Sequence, residues 1–169
     1  MQDAAIDIPQ KGEAGSKQRH PDYIALQRVI HDLSTFQILK LYVNVMIIFA
    51  TTKFIVNLIA YNTTDKTTKQ LVDVVIEFFQ IFGYAYGLQA YNTKAKAQAW
   101  VFQIYLIFAF GFITYYAYMN YIEKDWLGFG IEVFHFNFSI LLFMIVKRFI
   151  GLINRRDQLK IALQQHEKA

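Results

Sequence analysis

The chain has 169 residues, of which 55% are hydrophobic and only 18% are charged, whereas soluble domains usually carry about 25% charged residues. The apolar residues lie in long blocks between short polar stretches, which excludes a disordered chain and argues against a soluble one. The net charge of +4 is modest and the basic residues flank the apolar blocks, so we expect no nucleic-acid partner. The chain has no cysteine, which excludes disulfides and Cys-based metal sites.

The N-terminal region divides into two predicted segments. Residues 1–20 are a polar tail without the apolar core of a secretory signal. Residues 21–35 begin with the helix-start pair Pro21-Asp22 and carry apolar residues at helical spacing. This pattern predicts a short amphipathic helix on the membrane surface, although an ordinary packing helix fits the same pattern.

Residues 36–153 are predicted to form a transmembrane domain with four spans. Each apolar block is close to the about 20 residues that a helix needs to cross about 30 Å of hydrocarbon, and buried backbone groups in lipid favour helices. Short linkers make neighbouring helices antiparallel, so the predicted fold is all-α, an up-and-down four-helix bundle. A polar, helix-prone tail follows at 154–169. The four spans are placed at 38–61, 71–88, 100–121 and 127–146.

The distribution of basic residues predicts the orientation of the chain. Most of the 17 Lys and Arg residues lie in the two terminal segments or the second linker, and the opposite side carries Lys66, Lys69 and Lys124. By the positive-inside rule, both termini should face the cytosol or the mitochondrial matrix. The mitochondrial inner membrane is favoured over the endoplasmic reticulum, the Golgi and the plasma membrane.

Ionisable residues inside the predicted spans are the most informative feature of the sequence. At about 1.5 Å per residue, Lys53, Glu77, Glu132 and His135 fall at similar depths below one interface. Charges in a membrane are costly unless they face inward and pair, so we expect Lys53 to pair with Glu77 or with Glu132, beside His135. Asp73 shares a helical stripe with Glu77 and completes this predicted intramembrane polar network.

Three interpretations of the network are open. It can be a structural element that fixes helix register, or a site that handles protons or ions. Alternatively, Glu132-x-x-His135 has the spacing found in di-iron bundles, but those centres need a second such motif that this sequence lacks. We therefore expect no metal, no cofactor and no catalytic residue.

Two further motifs have structural or modification potential. Gly83-x-x-x-Gly87 lies in the second span and favours close approach of a neighbouring helix, in the bundle or in another subunit. Asn62-Thr63-Thr64 matches a glycosylation sequon on the predicted far side of the membrane.

Two classes of function fit these features. The first is a non-catalytic accessory or structural subunit of a larger membrane complex, such as a mitochondrial respiratory or ATP-synthase assembly, because the short loops leave no room for a soluble active site. The second is a free-standing endomembrane protein in trafficking or in transport of ions, protons or small solutes. The expected partners are the lipid bilayer and other membrane subunits.

Overall fold

A computed structural model of the chain describes residues 21–63 and 68–166, and all regular secondary structure in these ranges is helical. The predicted tail at 1–20 lies outside the described residues. A short helix is followed by four long ones, which we number in chain order: α1 (Pro21–Thr35), α2 (Gln37–Thr63), α3 (Thr68–Thr93), α4 (Lys96–Ile122) and α5 (Trp126–His166).

The prediction of four long apolar helices is confirmed. Four helical stretches are long and apolar enough to cross a membrane, one within residues 21–63 and one in each of α3, α4 and α5. This length and composition are compatible with an integral membrane protein. Their outward faces are rich in exposed Phe, Ile, Leu and Val side chains, which water would solvate poorly and lipid would solvate well.

Tight turns connect the last three helices. The chain leaves α3 at Lys94 and leaves α4 at Lys124, with φ of 50° and 59° respectively. The backbone N–H of Lys94 bonds to the carbonyl of Ala90, and the N–H of Asp125 bonds to that of Asn120. Left-handed residues of this kind end a helix while satisfying its last carbonyls, so the next helix starts within a few residues.

The four long helices contact one another in a ring. Helix α2 packs on α3, α3 on α4, α4 on α5, and α5 on α2. The buried core between them is built from aliphatic and aromatic side chains, among them Val43, Met46, Leu106, Leu142 and Phe149. Polar residues that are buried in the same interior are Glu77, Gln80, Gln103, Glu132, His135 and Ser139.

Helix α1 packs against α5 through one face. Val29 and Leu33 are buried on that face, whereas Ile30 is exposed. Val29 and Leu33 are four residues apart, about one helical turn, so they lie on the same face of α1. Phe36, which follows α1, stacks on Phe149 of α5 with ring centroids 5.8 Å apart, and this contact fixes the corner between α1 and α2.

Helix α5 is the longest element and is continuous for 41 residues. At about 1.5 Å per residue it measures about 60 Å, twice the thickness of a hydrocarbon core of about 30 Å. Residues 154–166 of the predicted polar tail are therefore part of the same helix as the fourth apolar block.

Candidate functional site

A charged residue from α2 lies between two carboxylates from two other helices. The ammonium Nζ of Lys53 is 2.7 Å from Oε1 of Glu77 on α3 and 2.7 Å from Oε1 of Glu132 on α5. The Lys53 side chain is 17% exposed, and those of Glu77 and Glu132 are 3% and 6% exposed. One cation thus ties three helices together, where the sequence predicted one carboxylate partner or the other.

The cluster continues from Glu132 into the centre of the molecule. Oε2 of Glu132 lies 3.5 Å from Nδ1 of His135, one turn further along α5. The other ring nitrogen, Nε2, is 3.1 Å from the hydroxyl oxygen of Tyr84 on α3. In the tautomer with its proton on Nδ1, that N–H points to the Glu132 carboxylate, and Nε2 accepts a hydrogen bond from the Tyr84 hydroxyl.

Helical periodicity explains why these side chains converge. Glu77, Gln80 and Tyr84 lie on one stripe of α3, and all three are buried. On α5, Glu132, His135 and Ser139 have the same i, i+3, i+7 spacing and are also buried. Each helix therefore presents a polar stripe to the interior and apolar side chains to the outside.

Aromatic rings surround the charged atoms. The ring of Phe49 lies edge-on to His135 at 4.9 Å between centroids. Nζ of Lys53 is 6.0 Å from the Phe49 ring centroid and 5.8 Å from that of Tyr116. Ring faces at this distance attract a cation and shield it from the solvent, so they add to the two carboxylates in holding the ammonium.

Asp73 has a different main partner. Its Oδ1 accepts a hydrogen bond of 2.8 Å from the hydroxyl of Tyr116 on α4. Asp73 is half-buried at the start of α3, about one turn from Glu77. Through this bond α4, the long helix that carries none of the three ion-paired residues, is also joined to the polar layer.

A cleft of about 420 Å³ opens on this polar layer. Its polar lining brings one ammonium together with four carboxylates, those of Asp73, Glu77, Asp125 and Glu132, and Lys53 supplies the ammonium. Asp125 also accepts a hydrogen bond of 3.0 Å from the backbone N–H of Gly128 at the start of α5. The described lining therefore carries an excess of negative charge.

Several buried polar atoms in the interior have no hydrogen-bond partner among the described residues. They include Oε2 of Glu77, Oε1 of Gln80 and Oγ of Ser139, whereas Oε2 of Glu132 and Nδ1 of His135 have only each other, at 3.5 Å. A buried polar atom without a partner usually costs about 1–3 kcal/mol. The layer thus has unused hydrogen-bonding capacity close to the cleft.

The two glycines of α3 lie directly beneath aromatic rings of α4. A Cβ atom added at Gly83 would overlap the ring of Tyr105, and one added at Gly87 would overlap the ring of Phe102. The Tyr105 hydroxyl donates a hydrogen bond of 3.2 Å to the carbonyl of Gln80. The close contact is thus between glycine backbone and aromatic rings within the chain, and the spacing motif alone could not identify these ring partners.

Asn62 of the sequon lies in the last turn of α2, and Thr64 lies outside the described residues. The side-chain amide nitrogen of Asn62, the atom to which a glycan would be attached, donates a hydrogen bond of 2.8 Å to the carbonyl of Leu58.

The Glu132-x-x-His135 pair lacks the neighbours that a metal centre would need. Over residues 21–63 and 68–166, no group of three or more His, Cys, Asp or Glu side chains is arranged to hold a metal ion.

Comparison of the chain with protein-family models, with curated proteins and with solved structures finds no match.

Proposed function

We propose that this chain is a non-catalytic integral membrane protein with four spans, arranged as an up-and-down bundle, and that it serves as a structural subunit of a larger membrane assembly. The observation that carries the structural role is the position of Lys53 between Glu77 and Glu132, 2.7 Å from each. Since the three residues belong to three helices, the ion pairs favour one register of the bundle. Polar groups that fix helix register are the best-attested use of such buried networks.

The connections between helices support the up-and-down arrangement. Only residues 94–95 separate α3 from α4, and only residues 123–125 separate α4 from α5. Connections this short make consecutive helices antiparallel neighbours. The excess of Lys and Arg in the terminal segments favours both termini on the cytosolic or matrix side.

The part of α5 beyond its apolar block supports a role in an assembly. Ile161 lies about 15 residues past the fourth predicted span, or about 22 Å along the helix, and its side chain is exposed. Apolar side chains outside the hydrocarbon region are favourable contacts for another subunit.

We favour the mitochondrial inner membrane, for example a respiratory or ATP-synthase assembly, over a secretory membrane. The sequon at Asn62 is the sequence feature that points to a secretory membrane. The helical position of Asn62 and its hydrogen bond to Leu58 leave the amide poorly placed to receive a glycan, which weakens that argument for a secretory membrane.

The test is purification of the tagged full-length protein at native expression level in mild detergent, after isolation of organelles. We expect it to comigrate with a fixed set of membrane proteins on a native gel and in size-exclusion chromatography. Recovery of a single chain of 19.8 kDa without partners, at detergent concentrations that preserve other membrane complexes of the same organelle, would contradict the subunit role.

A second candidate function, proton or cation transport, is favoured by one observation. The cleft of about 420 Å³ reaches the carboxylates of Glu77 and Glu132, and intramembrane carboxylates next to His are typical of proton pathways. Purified protein in liposomes with an enclosed pH-sensitive dye tests this alternative. Flux that is lost in Glu132→Gln, while that variant keeps its fold, would support transport over a purely structural role.

A further inference from the structure

A second, larger concavity lies on the outward face between α3 and α4. It is a groove of about 760 Å³ whose walls are mainly apolar, with Val72 and Ile76 on α3 and Phe108 and Phe112 on α4. Phe108 and Phe112 are exposed, so the groove is open on the side that would face lipid. An adjoining apolar pocket of about 200 Å³ shares Ile76, Phe108 and Phe112 with it and extends toward Tyr105.

The dimensions of the groove suit an alkyl chain. From Asn120 at one end to Tyr105 at the other, the groove and the adjoining pocket follow α4 for 15 residues, which is about 22 Å along the helix axis. Half the hydrocarbon thickness of a bilayer is about 15 Å. The groove and the adjoining pocket together are therefore about half again as long as one leaflet of the hydrocarbon core.

One end of the groove is polar and acidic. Asp73, Tyr116 and Asn120 line both the groove and the cleft that contains Lys53, so the two concavities adjoin each other. Asp73 is the charged residue of the groove lining, and one of its oxygens is bonded to Tyr116. In the adjoining cleft, the buried Oε2 atom of Glu77 has no hydrogen-bond partner among the described residues.

We propose that this groove binds a single-chain amphipathic amine, with its alkyl chain between α3 and α4 and its ammonium group at Asp73. The acidic end favours a cation, and four carboxylates against one ammonium in the adjoining cleft add to the attraction. The hydroxyl of Tyr116 and the amide of Asn120 can bond polar groups next to the ammonium. The site requires the bundle to lie in a bilayer, but it does not depend on the subunit role.

Charge complementarity separates this ligand from a phospholipid. In an aminophospholipid the phosphate lies between the ammonium and the acyl chains, so an ammonium at Asp73 would bring the phosphate into an acidic site. The described side chains of the groove lining offer that phosphate no cation. An amine attached directly to the alkyl chain avoids this repulsion.

The test uses a C16 primary amine with a photoreactive diazirine in its chain, added to full-length protein in phosphatidylcholine liposomes. We expect cross-links on α3 and α4 around Ile76, Phe108 and Phe112. Unlabelled hexadecylamine should compete at a concentration at least about tenfold lower than hexadecanol or palmitate requires, as expected for a charge-assisted hydrogen bond. Phosphatidylethanolamine should compete no better than hexadecanol.

Two variants separate the charge from the groove. Asp73→Asn should reduce competition by the amine to the level of the alcohol, while cross-links remain on α3 and α4. Gly111→Leu should strongly reduce them, because Gly111 lines the groove and a Cβ there would meet nothing within 4 Å, so the larger side chain has room to occupy part of the groove. Gly151→Leu, at an equally open position on α5, is the matched control and should label like the original protein.

Three results would overturn the proposal. They are cross-links spread evenly over the outer faces of all helices, equal competition by amine and alcohol, and unchanged labelling in Gly111→Leu. If Asp73→Asn fails to fold, the competition series on the original protein and the Gly111→Leu comparison still decide the outcome.

Discussion

Nζ of Lys53 lies 2.7 Å from Oε1 of Glu132, a residue 79 positions further along the chain. The same nitrogen is 2.7 Å from Oε1 of Glu77. A single ammonium therefore offsets the mutual repulsion of two buried carboxylates. The three residues contribute unequally to stability. Loss of Lys53 leaves two buried anions without a cation, whereas loss of Glu77 leaves one complete ion pair.

This inequality predicts the stability of single variants. Lys53→Met should lower the free energy of unfolding by about 3–5 kcal/mol, the usual cost of removing one partner from a buried ion pair. Glu77→Gln should cost clearly less, because Glu132 still holds the ammonium. Thermal unfolding in mild detergent measures both, with Lys40→Met as the control on the exposed face of the same helix. If Lys53→Met and Lys40→Met lowered the free energy of unfolding equally, the claim that Lys53 stabilises the two buried carboxylates would be wrong.

Removal of all three charges should recover stability. The combination of Lys53→Met, Glu77→Leu and Glu132→Leu replaces the ionic layer with apolar side chains of similar size, which is often neutral or stabilising compared with the intact ion pairs. We expect the triple variant to unfold at a higher temperature than Lys53→Met alone. Cross-links introduced between neighbouring helices should also form in more than one register, because the ion pairs no longer select one. A triple variant that is weaker than Lys53→Met would show that the charges contribute more than pairing.

Substitution of the two α3 glycines should be costly. Gly83→Ala and Gly87→Ala place a methyl group against the rings of Tyr105 and Phe102, and overpacking of this kind usually costs about 1–3 kcal/mol. Gly111→Ala and Gly151→Ala add the same methyl group where nothing lies within 4 Å. Unfolding midpoints of the four variants test the contrast. The packing account fails if all four midpoints shift alike.

The Tyr84–His135 hydrogen bond can be tested without changing volume. Tyr84→Phe removes only the hydroxyl that lies 3.1 Å from Nε2 of His135, so we expect a loss of about 1 kcal/mol or somewhat more, because His135 keeps a buried ring nitrogen without a partner. Tyr118→Phe, which alters an exposed ring, should leave the unfolding midpoint unchanged. A combined Tyr84→Phe and His135→Phe variant should be less destabilised than the sum of the single variants, since neither polar group is then stranded.

The sequence is a good predictor of the four apolar helices, because hydropathy and length alone report what a bilayer requires of a helix. Helical spacing also places Glu77 with Tyr84, and Glu132 with His135, on common stripes. It does not report how the helices are ordered around the bundle. That lateral order decides that Lys53 contacts both carboxylates rather than one.

Contacts that α4 makes with the polar layer also could not be predicted from the sequence. Asp73 is bonded to Tyr116 of α4, a residue that looks like any other interfacial aromatic when only composition is considered. The groove between α3 and α4 likewise arises from the shapes of two facing surfaces. A local sequence pattern cannot predict a groove between side chains that are more than 30 residues apart in the chain.

Helix α5 holds Glu132 and His135 in the interior and continues without a break to His166. It contains no proline, so it lacks the commonest cause of a sharp kink. From Glu132 to Arg156 the helix spans about 36 Å. A tilt of about 5° at the charged layer would therefore displace the far end by about 3 Å, so a change at the buried ion pairs is carried along the helix to its polar end.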